Sequence, residues 1–421
     1  MKKWLMLCVA LVACGTNNPV GATPDSATAA ALARQTHAMA TWNAIALKTT
    51  AAGPFSPPRE ARVMAIVSAA VFDAVNSITG QYGAYALHAR VSSTLSVEAA
   101  VCGAAYTILM SQYPEQLAAL DAARDSAIAQ MPAGRARDEG FAAGQAVAMA
   151  IFAMRSRDHS ADGGLYTGAG PGVWSPTPPA FLSPLEPAWG RVTPFLMDSG
   201  SQFRPAPPPA MESPTYVNDY LEIKDIGAAN SSARSSMQTE VARFWVATAA
   251  QLWNQVARQV TVARHLEPSE AARVYLLLNL AGADATIAAW DAKFTYKQWR
   301  PVTAIRSTPT GSVTTPSDPT WLPLITTPPF PDYPAGHTTY GGAAEQVLSD
   351  ILGATPEGLS IASPSLPGVT HTYQSVHQIA DEVTNARVWG GVHWRTSATV
   401  GRELGRAIGK HAVSRAPRRS E

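Results

Sequence analysis

Between Val63 and Ile78 the apolar residues Val63, Ile66, Val67, Ala70, Val71, Ala74, Val75 and Ile78 follow one another at intervals of three and one. That spacing traces one face of a helix; a strand would repeat every second residue. The face is broad, so such a helix has to be covered by neighbours. Pro58 suits its start and Gly80 its stop. Charged residues make up only 15% of the chain against 46% hydrophobic, with Ala prominent. That balance predicts closely packed helices and argues against disorder. Related patterns predict helices over 31–50, 96–112, 115–130 and 135–157. Further helices are expected over 216–228, 235–244, 251–265, 269–290, 338–352, 372–388 and 395–411. The fold class expected is all-α, with two helical-bundle halves joined by long Pro/Gly-rich loops.

Breaks in composition divide the 421 residues further. Positions 1–14 have a basic start and a short apolar run, the pattern of a signal peptide. Leu11, Val12, Ala13 and Cys14 read as a lipobox, with Cys14 the residue that would carry lipid; an ordinary secretory signal is the other reading. Positions 15–30 are expected to be a tether, 31–157 an N-terminal helical half, and 158–215 a connecting segment crowded with Pro and Gly. Trp174 and Trp189 in that segment need something to pack on, so it should run over the bundle and the pocket mouth. Positions 216–412 form the C-terminal helical domain and 413–421 a basic tail. No later stretch reads as a membrane span. The three cysteines are Cys8, Cys14 and Cys102. Cys102 lies among Ala and Val and is expected to be a small buried hydrophobe without a disulfide. Asp73 and Asn76 inside the first clear helix are expected to make buried polar pairings between helices. Net charge is +1, and no basic tract long enough for a nucleic-acid footprint is present.

Three clusters in the C-terminal half carry chemistry. The first holds Lys293 and Arg300, followed by Pro301. The second is Pro334, Ala335, Gly336 and His337. The third runs from Ala386 and Arg387 through Gly390 and Gly391 to His393. One Lys, two Arg and two His with no carboxylate among them suit a tetrahedral oxyanion better than a divalent cation. Seven residues of helix would set Lys293 and Arg300 about 10 Å apart along one face, with Pro301 ending that helix. Gly336 admits close backbone approach, and a helix beginning near His337 would offer free N–H groups to the same anion. Arg387 can add a bidentate fork.

In order and spacing these clusters resemble the superfamily of vanadium-dependent haloperoxidases and type 2 phosphatidic-acid and bacterial acid phosphatases. The resemblance implies that Lys293, Arg300, Arg387 and the Gly336 N–H neutralise the oxygens of vanadate, or of phosphate in the same place. It implies that His337 is the acid–base over the axial oxygen. His393 would ligate the vanadium, or attack phosphorus as nucleophile. It implies hydrogen peroxide, a halide and a small organic acceptor as reactants, with Lys293 polarising the bound peroxide. Trp290 and Phe330 match positions lining the halide side in the fungal chloroperoxidase type. No nucleic acid is implied, and membrane contact only through the lipid at Cys14.

Three positions depart from the family pattern. Ala335 and Ala386 stand where Ser is usual, and Ser397 stands where the phosphatases carry an Asp that orients the nucleophilic His. Ala335 and Ser397 would sit directly behind the anion-binding residues. Without that Asp, nucleophilic attack suffers more than ligation by a neutral imidazole. The reading is therefore an exported haloperoxidase-like enzyme. A vanadium-free acid phosphatase and a non-catalytic phosphate-binding envelope protein are the alternatives.

Overall fold

A computed structural model describes residues 26–54, 56–307, 314–353 and 358–420. The expected signal peptide and the lipidation site Cys14 lie outside the described residues. The N-terminal region contributes α1 (Ser26–Ala52), α2 (Pro57–Thr79), α3 (Val97–Gln112), α4 (Leu117–Ala129) and α5 (Arg135–Arg155). Positions 26–30, part of the expected tether, are thus already helical. After the connecting segment come α6 (Pro214–Ile226), α7 (Ser236–Phe244), α8 (Ala249–Ala263), α9 (Pro268–Tyr296) and α10 (Pro301–Arg306). The C-terminal region holds α11 (Gly336–Leu352), α12 (Val376–Trp389) and α13 (Arg395–Ser414).

Between α11 and α12 the chain makes a small hairpin, β1 (Leu359–Ala362) against β2 (Thr370–Tyr373), antiparallel, with Leu359 opposite Tyr373. The helix expected from 372 therefore starts only at Val376, where Ser375 caps it by accepting from the Gln378 N–H. The fold remains predominantly α-helical.

The broad apolar face in α2 is explained by its position. Nearly every residue from Pro58 to Ile78 is buried, because α1, α3, α5 and α9 surround the helix. By length and hydropathy α2 could cross a bilayer, contrary to the sequence reading, yet its apolar window is wholly buried inside the protein. A fully buried Val or Ile contributes about 1.5–3 kcal/mol, so its place is the core. One hydrophobic cluster runs from Met39 in α1 to Ala386 in α12 and includes Cys102. A chain of buried amides crosses it: Asn43 donates to Asn254, Asn254 to Asn279, and Asn279 to the Ser68 hydroxyl. Each buried amide thereby finds a partner, which fixes the relative rotation of α1, α2, α8 and α9.

Two buried carboxylates hold loops to helices. Asp73 does not make the expected pairing with another helix; it accepts the backbone N–H groups of Tyr85, Ala86 and Leu87 at 2.7, 2.9 and 2.9 Å. Asn76 bonds both backbone groups of Tyr82. Asp284 in α9 does the same for the connecting segment, accepting from Phe195, Leu196 and Met197 at 2.7, 2.8 and 2.9 Å. That segment is laid over the bundle as expected, with Trp174 and Trp189 buried. Its backbone braces the later loops: Leu185 N–H bonds Pro329 O, Trp174 N–H bonds Lys297 O, and Trp299 N–H bonds Gly172 O.

Helices α11 and α13 approach closely enough for backbone to meet backbone at several glycines, with Arg402 and Glu345 pairing across the same contact. A Cβ at Gly405 would collide with the Thr339 carbonyl oxygen, and one at Gly342 with the Arg402 carbonyl oxygen. At Gly409 it would come within 2.7 Å of Ala343 O. The two backbones therefore touch.

Two outcomes follow for stability. Gly405→Ala should cost about 1–3 kcal/mol through overpacking, read as a lower urea midpoint; an unchanged midpoint would show that the helices can part freely. Asp284→Ala should cost about 3 kcal/mol, since it strands buried N–H donors, and should expose 195–197 to proteolysis before global unfolding. Uniform protection of that segment would contradict the clamp.

Candidate active site

The α9 helix brings Trp290 and Lys293 to its C-terminal end, and both are buried. It does not continue to Arg300. Lys297 takes a left-handed conformation with φ 55°, its N–H closes on Lys293 O, and the helix stops. Arg300 then lies in extended backbone as the residue before α10, and Pro301 occupies the first helical position. This corrects the expectation of one helix carrying both cations. Proline can open a helix as readily as follow one, and here it opens α10. Lys293 and Arg300 still converge, because the bend returns the chain toward the 330–332 loop.

That loop aims both cations. Lys293 Nζ donates to Pro331 O at 2.9 Å and Asp332 O at 2.7 Å. Arg300 Nε donates to Phe330 O at 2.8 Å, and its Nη1 to Val392 O at 2.7 Å. Gly336 opens α11, as the sequence suggested, and Ala335 provides no side-chain cap. A helix start without a cap leaves donors for an anion. Gly336 is also held tight, since a Cβ there would lie 3.3 Å from Trp290 Cζ3. Arg387 sits in the last turn of α12 and donates from Nη1 to Trp245 O at 2.7 Å. The helix ends at Trp389, Gly391 turns with φ 76°, and His393 comes back beside Arg300.

His393 Nε2 is 3.1 Å from Arg300 Nη1. His337 shares one narrow cleft with His393, Gly336, Trp290, Phe330, Thr248, Thr286 and Tyr340, and its Nε2 is 3.0 Å from Ala247 O. Trp290 and Phe330 pack at 4.8 Å between centroids, and Lys293 Nζ lies 5.1 Å from the Phe330 ring. Gly336, His337 and His393 thus share one cleft, with Lys293 and Arg300 against it and Arg387 near enough for its charge to act on Lys293 and His393. Ala335 and Ser397 lie directly behind them, joined by a hydrogen bond from Ala335 N–H to Ser397 O. His371, between Glu240 and Glu382, and His377, on Glu345, are engaged elsewhere. Asp158 is paired with Arg62 and Arg155.

One residue escaped the sequence reading. Asp332 is fully buried in the midst of the cations, its Oδ1 3.0 Å from His393 Nδ1 and 3.8 Å from Arg300 Nη1. The site therefore contains a carboxylate after all. It stands between Phe330 and Gly336, both placed in the pocket from the sequence, so its proximity was legible although its pairing was not.

The electrostatics are lopsided: Lys293, Arg300 and Arg387 face one buried carboxylate. Burial, then the charge of Arg300, pushes the Lys293 amine well below its ordinary range. Burial likewise lowers Arg300 to about 10 and Arg387 to about 9. Burial and, next, the cations hold both His337 and His393 well below the usual imidazole value, so both rings are neutral near pH 7. Asp332 is raised to about 6 by burial, with Arg300 and Lys293 pulling the other way. Arg300 Nη2 and Arg387 Nε are buried with no hydrogen-bond partner. Orphaned guanidinium donors are costly, and a tetrahedral oxyanion would satisfy them. The donor set fits vanadate or phosphate. It does not fit a divalent cation, and among the described residues no group of three or more His, Cys, Asp or Glu is arranged to hold one.

Known proteins share this arrangement's fold. Residues 273–421 match the family model described as the VCPO second helical-bundle domain. The vanadium chloroperoxidase of Curvularia inaequalis is 24% identical over 487 aligned positions, covering 86% of this chain and 79% of that protein. The crystal structure of the first bacterial vanadium-dependent iodoperoxidase superposes with a TM-score of 0.77 at 26% identity, over 92% of this chain and 97% of that one. A holo-type bacterial vanadium-dependent chloroperoxidase has the same fold, with a TM-score of 0.69 at 18% identity over 86% and 92% of the two chains. Taken with the convergence of its basic residues and histidines, these likenesses give the chain the fold of the vanadium-dependent haloperoxidases, with residues 273–421 similar to that family's second helical-bundle domain.

Proposed function

We propose that this protein is an exported, vanadate-dependent haloperoxidase that oxidises halide with hydrogen peroxide and delivers the oxidised halogen to a small organic acceptor. The observation that carries the reading is the buried trio Lys293, Arg300 and Arg387 with unpartnered guanidinium donors. In this reading Lys293, Arg300, Arg387 and the Gly336 N–H hold the oxygens of vanadate, and His393 offers a ring nitrogen as its protein ligand. Bound vanadate supplies Lewis-acid activation of peroxide without changing its oxidation state.

The protein's own groups do the rest. Three fixed cations stabilise developing negative charge without having to reorganise. Lys293, already stripped of water, is placed to polarise the peroxide oxygen that halide attacks. His337 is neutral, so it can accept a proton from peroxide as it enters, and its contact with Ala247 O orients the ring. Trp290 and Phe330 give the halide a dry aromatic wall. Beyond the cleft lies a cavity of about 500 Å³, lined among others by Glu60, Trp189, Thr248 and Gln251. Thr248 borders both spaces, which suits a small organic acceptor waiting next to the site of halide oxidation.

A second reading gains support from Asp332. Ser397 gives His393 no orienting carboxylate, but Asp332 brings one to within 3.0 Å of His393 Nδ1. A phosphomonoesterase would use His393 as nucleophile and His337 to protonate the leaving group.

A paired assay separates the two. Mature protein with orthovanadate, peroxide and bromide should brominate a dye, and His393→Ala should abolish this. Lys293→Ala should lower the rate by about 10²–10³-fold. Hydrolysis of an aryl phosphate with no vanadate-dependent bromination would establish the phosphatase instead.

Anion binding has a pH signature. The folded pKa of Lys293 is depressed, and an anion beside it raises that pKa, so binding takes up protons and weakens as pH rises. Calorimetry of tungstate binding at pH 8 and 9, in buffers of different ionisation enthalpy, should register net proton uptake. Proton release would contradict this charge arrangement.

A further inference from the structure

We infer that Asp332 is the positioning residue of His393: it takes the ring by Nδ1 and so turns Nε2 toward the oxyanion, replacing a carboxylate at position 397. The inference deepens the function proposed above and rests on the same site.

Four observations carry it. First, Asp332 Oδ1 is 3.0 Å from His393 Nδ1, and both residues are buried. Second, the ring has no better acceptor on that side: the Ser397 hydroxyl is 3.5 Å from Nδ1 and itself donates to Asp332 O at 3.2 Å. Ser397 thus fastens the backbone of Asp332. Third, both carboxylate oxygens of Asp332 lack an aligned hydrogen-bond donor. A buried carboxylate in that condition is poised to accept one. Fourth, Arg300 Nη1 lies against the ring, 3.1 Å from Nε2 and 3.4 Å from Nδ1. A neutral ring has only one acceptor nitrogen, so the Arg300 donor cannot bond both, and the nitrogen that carries the proton needs an acceptor such as the Asp332 carboxylate. An anion that draws the Arg300 fork to its oxygens leaves Nδ1–H to Asp332 and Nε2 to the ligand.

The chemistry requires such a partner. An imidazole that ligates through one nitrogen is held in one tautomer by a hydrogen bond from the other, and outer partners of this kind are worth about 10–100-fold in affinity. Asp332 comes from the loop that also presents the Pro331 and Asp332 carbonyls to Lys293 and the Phe330 carbonyl to Arg300. A single loop therefore sets the cations by its carbonyls and the imidazole by its one acidic side chain.

The test uses the full mature protein. Long-range ¹H–¹⁵N spectra of the His393 ring would be recorded with and without orthovanadate, and orthovanadate affinity measured by calorimetry. The wild type should show the Nδ1–H tautomer when loaded. Asp332→Ala should populate the Nε2–H form and bind orthovanadate about 10–100-fold more weakly. Adding Ser397→Asp to that variant should restore both. A thermal melt guards against misfolding, and if Asp332→Ala does not fold, the isosteric Asp332→Asn should shift the tautomer in the same direction. An unchanged tautomer in a folded Asp332 variant, with only the melting temperature lowered, would make Asp332 a mere counter-ion and overturn the inference. Because these readouts involve no halogenation, loss of the haloperoxidase reading would leave them intact, and the reverse also holds.

Discussion

Three like charges buried within reach of one another are what this protein has to accommodate. Lys293, Arg300 and Arg387 are almost fully withdrawn from solvent, and burial alone opposes their charged forms. The fold answers with oriented carbonyls. Pro331, Asp332, Phe330, Val392 and Trp245 each turn an oxygen toward a cation. None of these carbonyls neutralises charge, and Asp332 offsets only part of it. The pocket is therefore stable as a cationic cavity but incomplete, which is the condition in which an oxyanion binds strongly.

Everything that surrounds those carbonyls serves to hold them. They sit on loops, and loops move unless something pins them. The connecting segment does so through backbone bonds to Pro329 and Lys297 and through Trp290 Nε1 on Leu185 O. That segment is itself anchored by Asp284 on α9. A long irregular stretch thus becomes rigid by borrowing the order of the longest helix.

Much of this was readable in the residues. The periodicity of 63–78 located α2 almost to its ends, and the three clusters named the residues that converge. Other features were hidden for physical reasons. Pro301 is compatible with either end of a helix, so the break after Tyr296 could not be told from the proline; the left-handed Lys297 decided it. The hairpin of Leu359–Ala362 and Thr370–Tyr373 is too short for alternation to stand out. Asp73 looked like a helix-to-helix partner because nothing local tells a carboxylate whether its donors will be side chains or a neighbouring loop. Asp332 was passed over among prolines. Only in three dimensions does its carboxylate reach His393, where position 397 has a hydroxyl.

The backbone-to-backbone approach of α11 and α13 has a further meaning. His337 lies in the first turn of α11 and His393 two residues before the start of α13, so the gap between the two imidazoles is set where main chain rests on main chain at Gly342, Gly405 and Gly409. Side chains in a core can adjust their rotamers and let spacing drift; peptide groups in direct touch have no such slack. The two rings are thereby gauged by the thickness of the polypeptide itself, a reference length that substitutions elsewhere in the bundle leave alone.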